Sequence, residues 1–227
     1  MNIDRRRMLG ALALGAAGAV LPSALSGATL PLAGKPLSFP LGTRGPLPDV
    51  EPLHAAAVPA TNPLLERARN ALARHARMIP NRDVIGLVDF SQASREPRFQ
   101  LVEPDSGKVL ETWLVAHGSG SDPANRGYVE RFSNRPGSNA SSPGSFVTAQ
   151  IYTGKHGRSR RLMGLDPENS LALERDIVIH AASYVSPQMA ANSGRVGRSQ
   201  GCFAVSQGCI GEVLDRLGPG RLLFAWK

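Results

Sequence analysis

Cysteine is scarce in this sequence, which has two cysteines among 227 residues. Two cysteines cannot build a disulfide-rich scaffold; either they pair with each other or at least one is a free thiol. Aromatic residues are also few, at 5%, whereas an apolar fraction of 42% is ordinary for a packed globular core. The longest apolar run, residues 8–21, is shorter than the roughly 20 residues that a membrane span requires. The composition therefore indicates one globular domain with additional N-terminal sequence.

The N-terminus has the pattern of an export signal. Arg5 and Arg6 form a pair that is typical of twin-arginine signals, and the apolar run follows them directly. Small residues at 26–28 suit cleavage by a signal peptidase. We therefore expect residues 1–28 to be a twin-arginine signal peptide, with membrane contact only during export and a periplasmic or other extracytoplasmic location. An uncleaved N-terminal anchor is the alternative.

The next segment is predicted to be a linker. Seven prolines fall between residues 29 and 60, in sequence otherwise rich in Ala, Gly and Leu. Proline interrupts both helices and strands, so we expect an extended linker over 29–60 and a catalytic domain over 61–227. The net charge of +8 suits an anionic partner, and for an exported protein a wall polymer is favoured over nucleic acid. A generic basic surface is the alternative to an anionic partner. We expect the protein to be a monomer.

The domain is predicted to be mainly β, of the α+β class, with a few short helices. A helix should begin at Asn62, a good N-cap, followed by Pro63 in the first turn. A second helix, capped by Ser206, would place Cys209 on its apolar face. Turn residues at 103–108 between two apolar runs predict a hairpin and hence an antiparallel sheet. The predicted strands are 84–90, 98–102, 109–115, 146–152, 162–165, 176–180 and 221–226.

The chemistry is predicted to lie around Cys202 and His180. Cys202 follows Gly201 in a glycine-rich loop just before a predicted helix, with Arg198 close by, and both features favour a thiolate. His180 ends a predicted buried strand and could act as the base of that nucleophile. The tetrapeptide Ser-Gln-Gly-Cys recurs at Cys209, but a cysteine on an apolar helix face behaves as a small hydrophobe. A disulfide between the cysteines and a zinc site of Cys202, His180 and a further histidine are alternatives.

From Val84 onward the sequence resembles the YkuD-type L,D-transpeptidase catalytic domain, and in particular the murein L,D-transpeptidase catalytic domain family. The pattern of that family is a histidine, a spacer, and then Ser/Thr-x-Gly-Cys, which His180 and Ser199-Gln200-Gly201-Cys202 match. If Cys209 were the cysteine of this pattern, the spacer after His180 would be too long. The sequence departs from the family at Gln200 and Phe203, where we expect differences in substrate preference. Shared segments are His117-Gly118-Ser119-Gly120-Ser121, Phe132-Ser133-Asn134, Lys155-His156-Gly157, Ile179-His180 and Gly197-Arg198-Ser199.

The resemblance implies a YkuD-like β-sandwich or barrel and a peptidoglycan L,D-transpeptidase that needs no metal or organic cofactor. Cys202 would either give its proton to His180 or form an ion pair with it, and would then form a thioester with a stem peptide. An amine would take the acyl group from this thioester. Ser199 would orient the imidazole. An L,D-carboxypeptidase and an inactive peptidoglycan-binding module are the alternatives. Candidates for substrate or oxyanion binding are Gly201, Arg198, His117 and His156.

Overall fold

The sheet order sets the positions of all the candidate side chains. The structure is a computed structural model that describes residues 62–227, and the predicted signal peptide and linker lie outside them. The described part contains eight strands and three α-helices, which confirms the mainly β class. Between residues 62 and 227, no helix combines the length and apolarity of a membrane span. The elements are α1 (Pro63–Arg74), β1 (Ile85–Asp89), β2 (Phe99–Val102), β3 (Val109–Trp113), β4 (Gly144–Gly154), β5 (Gly157–Gly164), β6 (Val178–Ala181), α2 (Pro187–Ser193), β7 (Phe203–Val205), α3 (Ile210–Arg216) and β8 (Leu222–Trp226).

The strands form one mixed sheet in the order β3-β2-β1-β8-β4-β5-β6-β7. The prediction of an antiparallel sheet is wrong for two pairs, because β1 runs parallel to β8 and β6 runs parallel to β7. The two edge strands also meet: Ala116, just after β3, donates its N–H to Ala204 O of β7 at 2.8 Å. This bridge gives the sheet a barrel-like closure and occupies edges that would otherwise be exposed.

Both faces of the sheet are covered by apolar side chains. Residues alternate between the faces, so that Leu87 joins the cluster under α1, whereas Val88 joins the cluster under α3. Helix α1 begins where the sequence predicts, since Asn62 Oδ1 accepts a hydrogen bond from Leu64 N at 2.9 Å. Helix α3 begins later than predicted: its N-cap is Cys209, not Ser206.

One hairpin is much longer than the sequence indicates. Strands β4 and β5 extend to a tight turn formed by Lys155 and His156. Arginines interrupt the apolar alternation of β5, which is why only its last residues are predicted as strand. In the structure the buried Arg160 donates to Ala149 O at 2.7 Å and to Leu214 O at 2.6 Å, so both terminal nitrogens of its charged group have partners inside the fold.

Candidate active site

His180 lies on one of two neighbouring parallel strands, and Cys202 lies just before the start of the other. Strand β6 carries His180, which is buried, and Cys202 directly precedes β7. Ile179 pairs with Phe203, so Cys202 and His180 occupy diagonal positions on the same face of two strands that are roughly 5 Å apart. The parallel pairing thus brings together the two side chains that the sequence singles out. Both of them line one cavity of about 920 Å³.

Five of the seven predicted site residues line this cavity, and two do not. Gly201 and His117 are absent from its lining. Phe203, one of the two positions expected to affect substrate preference, is 1% exposed in the core and does not line the cavity. Gln200, the other, is exposed and lines the cavity. The predicted residues that line it are Arg198, Ser199, Cys202, His156 and His180.

The loop before Cys202 is fixed by the Ser199 hydroxyl. Ser199 Oγ donates to Cys202 O at 2.7 Å and accepts from Gly201 N at 3.1 Å. This closes a small turn in which Gly201 has φ +117°, a conformation that favours glycine, and a Cβ there would lie 2.7 Å from Ala140 O. The prediction that Ser199 orients the imidazole is therefore wrong, because its hydroxyl is engaged within the cysteine loop.

A backbone carbonyl orients the imidazole instead. His180 Nδ1 lies 2.8 Å from Ala181 O, and since a carbonyl can only accept, Nδ1 carries the proton. The other ring nitrogen, Nε2, is therefore an acceptor in the neutral ring. This is the tautomer that a general base requires.

His156, at the turn of the long hairpin, packs against the same imidazole. The two rings stack with their centroids 4.2 Å apart and an angle of 25° between their planes. His156 is exposed, whereas His180 is 2% exposed, so the hairpin turn covers His180 from the solvent side. The sequence gives no indication of this contact, because the predicted strands stop short of the turn.

Burial shifts both titrating groups toward their neutral forms. It raises the pKa of the Cys202 thiol, although the Val178 N–H and the charge of Arg175 act against it. It also lowers the pKa of His180, against the hydrogen bond to Ala181 and together with the charges of His156 and Lys155. Burial thus favours the neutral thiol and the neutral imidazole over their charged forms.

Arg175 is a site residue that the sequence does not reveal. Its guanidinium donates to Ala140 O at 2.6 Å, to Ser133 O at 2.8 Å and to Ser142 Oγ at 2.6 Å. These bonds hold the 133–142 segment beside the cysteine loop, and Arg175 also lines the cavity. No motif marks it, since it lies in the turn before β6 and acts on a segment more than 30 residues earlier.

His117 belongs to a buried network outside the cavity. Arg98 Nη2 can only donate, so His117 Nδ1 accepts its hydrogen bond at 2.8 Å. His117 Nε2 must then carry the proton that it shares with Asp122 Oδ2 at 3.3 Å. Asp122 O in turn accepts a hydrogen bond from Arg198, and His117 O accepts from Ser199 N at 2.9 Å. The network therefore supports the cysteine loop from behind.

We expect the domain to lose stability as the pH falls from about 6.5 to about 4. Burial, with the charge of Arg98, lowers the pKa of His117 to about 4, against roughly 6.5 in an unfolded chain. Between these values the unfolded chain binds a proton that the folded one does not, so the free energy of unfolding falls by about 3 kcal/mol. Urea unfolding across this range should show a smaller fall for His117→Gln. Equal falls in the two proteins would contradict the prediction.

Cys209 lies in a different environment. It is the N-cap of α3, packs against the core, and its sulfur lies 3.1 Å from Ser206 Oγ. Both cysteines are free, so the structure does not contain the disulfide considered as an alternative. In residues 62–227, no group of three or more His, Cys, Asp or Glu side chains is arranged to hold a metal ion.

The described domain is thus a mainly β sheet with barrel-like closure, and one cavity contains a thiol beside an imidazole. This combination is typical of enzymes that transfer acyl groups through a cysteine. The chain belongs to the L,D-transpeptidase catalytic domain family, whose sequence model matches residues 59–226. Members of this family act on peptidoglycan stem peptides and are generally cell-wall enzymes that work outside the cytoplasm.

Three similar solved structures are also L,D-transpeptidases. The enzyme from Mycobacterium smegmatis is 12% identical, with 64% of this chain and 59% of that chain covered and a TM-score of 0.39. L,D-transpeptidase 3 from Mycobacterium tuberculosis, solved with a faropenem-derived adduct, is 12% identical over 64% and 60%, with a TM-score of 0.41. The enzyme from Xylanimonas cellulosilytica is 15% identical over 63% and 60%, with a TM-score of 0.38. The chain thus spans about three fifths of the length of these relatives, and no curated protein matches it.

Proposed function

We propose that the chain is a peptidoglycan L,D-transpeptidase that forms a thioester between Cys202 and a stem peptide and transfers the acyl group to an amine. The observation that carries this proposal is that His180, on β6, and Cys202, just before the adjacent strand β7, line the same cavity. Membership of the family supplies the reaction class and the substrate class. The geometry supplies a nucleophile and a base with the correct free ring nitrogen.

In the first half-reaction His180 Nε2 takes the thiol proton as Cys202 Sγ attacks the carbonyl carbon before the terminal D-residue. The S–C bond forms, the C–N bond breaks, and the imidazolium returns its proton to the departing amine. In the second half-reaction an amine of another stem peptide attacks the thioester and the thiol is restored. Burial favours the neutral forms of both groups, which suits a general-base route in which the proton moves as the substrate is attacked.

The developing oxyanion would be stabilised by the cysteine loop. The Gly201 N–H is occupied by Ser199 Oγ at 3.1 Å, whereas the Cys202 N–H donates to no group within residues 62–227. We therefore assign the Cys202 N–H as the oxyanion donor, with the positive charge of Arg175 nearby. Gly201, a candidate for oxyanion binding, would instead give the loop its left-handed turn.

Arg198 and His156 would act through the groups that they hold. Arg198 donates to Asp122 O, which anchors the loop that carries Cys202. His156 covers one face of the His180 ring and restricts its rotation. The basic excess of the chain would favour approach to an anionic wall polymer, which is consistent with export by the predicted twin-arginine signal.

Mass spectrometry with a purified stem tetrapeptide tests the function. We expect the protein mass to rise by one acyl group with release of the terminal D-residue, and a cross-linked dimer to accumulate when an amine acceptor is added. Trimmed peptide without any dimer would replace the proposal by an L,D-carboxypeptidase. Peptidoglycan pull-down with no thioester and an unreactive Cys202 would replace it by an inactive binding module.

A further inference from the structure

Arg161 projects into the active-site cavity from the middle of β5. It pairs with Val178 of β6, one of the residues beside the nucleophile. Its neighbour Arg160 is buried on the opposite side of the strand, as the alternation of a strand requires. Arg161 is held rather than mobile, because its guanidinium stacks 4.3 Å above the ring of Tyr152, which also lines the cavity.

The guanidinium lies close to the reacting thiol. Asp176 connects the two: its carbonyl oxygen lies 3.4 Å from Cys202 Sγ, and its carboxylate lies 3.4 Å from Arg161 Nη1. In Asp176, three covalent bonds separate the backbone carbonyl carbon from the side-chain carboxylate carbon. In a substrate, three bonds likewise separate the attacked carbonyl carbon from the carboxylate carbon of the terminal residue that follows it. When the attacked carbonyl carbon is at Cys202, that terminal carboxylate would therefore reach Arg161.

Of the cavity arginines, Arg161 is the least engaged in hydrogen bonds, because the one bond that it makes within residues 62–227 is long. Arg175 donates to four groups of the 133–142 segment, and Arg198 donates to Asp122 O. Arg161 makes one long contact within the described residues, to an Asp176 side chain that is 80% exposed. An exposed ion pair of this kind is weak and can be displaced by a better-placed carboxylate.

We propose that Arg161 binds the free carboxylate of the D-residue that leaves the acyl donor. This inference rests on the proposed function and goes further, because it names the group that the cavity recognises. Arginine binds a carboxylate through two parallel N–H groups, which fixes both its position and its orientation. The site would thereby select peptides that end one residue beyond the bond that is broken.

The test compares a stem tetrapeptide with the same peptide carrying a C-terminal amide. For the wild-type protein, amidation should lower kcat/KM for thioester formation by about 10- to 100-fold, mainly through KM. For Arg161→Gln the two donors should agree within about threefold. Arg161→Lys should fall between these results, since it keeps the charge but loses the planar pair of donors. Arg158→Gln is the matched control, because Arg158 is on the same strand but outside the cavity.

Asp176→Asn should improve binding of the acid donor, whereas Arg161→Gln should weaken it. Asp176 has φ +51°, which asparagine tolerates, so the backbone should keep its place while the competing carboxylate disappears. The KM for the acid donor should fall about two- to fivefold, and the KM for the amide should not change.

Three results would overturn the inference. They are equal use of acid and amide by the wild type, a full amide penalty that persists in Arg161→Gln, and a lost penalty in Arg158→Gln. Each of these leaves the proposed function intact, because the thioester still forms. If the wild type formed a thioester with neither donor, the proposed function itself would fail and the carboxylate site with it.

Discussion

Replacing Cys202 with alanine should abolish acylation of the protein by a stem tetrapeptide, and replacing Cys209 with alanine should leave acylation intact. Only Cys202 lines the cavity that also contains His180. Loss of the nucleophile removes the covalent intermediate entirely, so the expected effect is total at the sensitivity of intact-mass measurement. The comparison is well matched, because both cysteines follow the same Ser-Gln-Gly sequence.

The Cys209→Ala variant is the control for folding and for non-specific thiol chemistry. Its sulfur packs at the start of α3, so its loss should cost about 1 kcal/mol of unfolding free energy without touching the cavity. Intact-mass spectra after incubation with the tetrapeptide, and with a carbapenem as a second acylating agent, give the readout. If Cys202→Ala is still acylated while Cys209→Ala is not, the assignment of the nucleophile is wrong.

The cysteine loop could be predicted from the sequence because its determinants are local. Glycine at 201 is required by a left-handed φ, and a cysteine after it stands at the end of a tight turn. Helix α1 was predictable for the same reason, since Asn62 caps the two residues that follow Pro63. Where a structure depends on residues within four positions of one another, the sequence contains the information.

The partners of that loop could not be predicted, because they come from distant segments. Ser199 pairs with Gly118 and donates its N–H to His117 O, and these contacts depend on how the 116–120 segment runs beside it. His117 is beside a glycine in the sequence and looks like a loop residue, yet the closure of the sheet buries it against Arg98. Three-residue β7 has too few residues to show any alternation, so its parallel pairing with β6 left no signal.

The charged residues on β5 also could not be assigned to the cavity from the sequence. Arg160 and Arg161 are adjacent and chemically identical, and only the register of β5 decides that one is buried under α3 and the other faces the nucleophile. A shift of one residue would exchange their roles. Register is fixed here by pairing with β4 and β6, elements whose full extent the sequence did not indicate. The position of Arg161 in the cavity is therefore a property of the assembled sheet.

Replacing His180 with glutamine should lower kcat/KM for acylation by about 10²- to 10⁴-fold, the usual contribution of a general base. Glutamine keeps a polar group of similar size beside Ala181 O but cannot take a proton. The pH profile separates this role from a structural one. Burial lowers the pKa of His180 and raises the pKa of Cys202, and both shifts favour a neutral base and a protonated thiol at neutral pH.

The wild-type rate should therefore be nearly independent of pH between about pH 7 and 8, because His180 is already in its basic form and moves the proton during attack. The variant depends on the small fraction of Cys202 that ionises on its own. Its rate should rise about tenfold per pH unit across the same range, since burial places the thiol pKa above that range. A pH-independent variant, or one that loses less than about threefold in rate, would show that His180 is not the base and that another group in the cavity deprotonates Cys202.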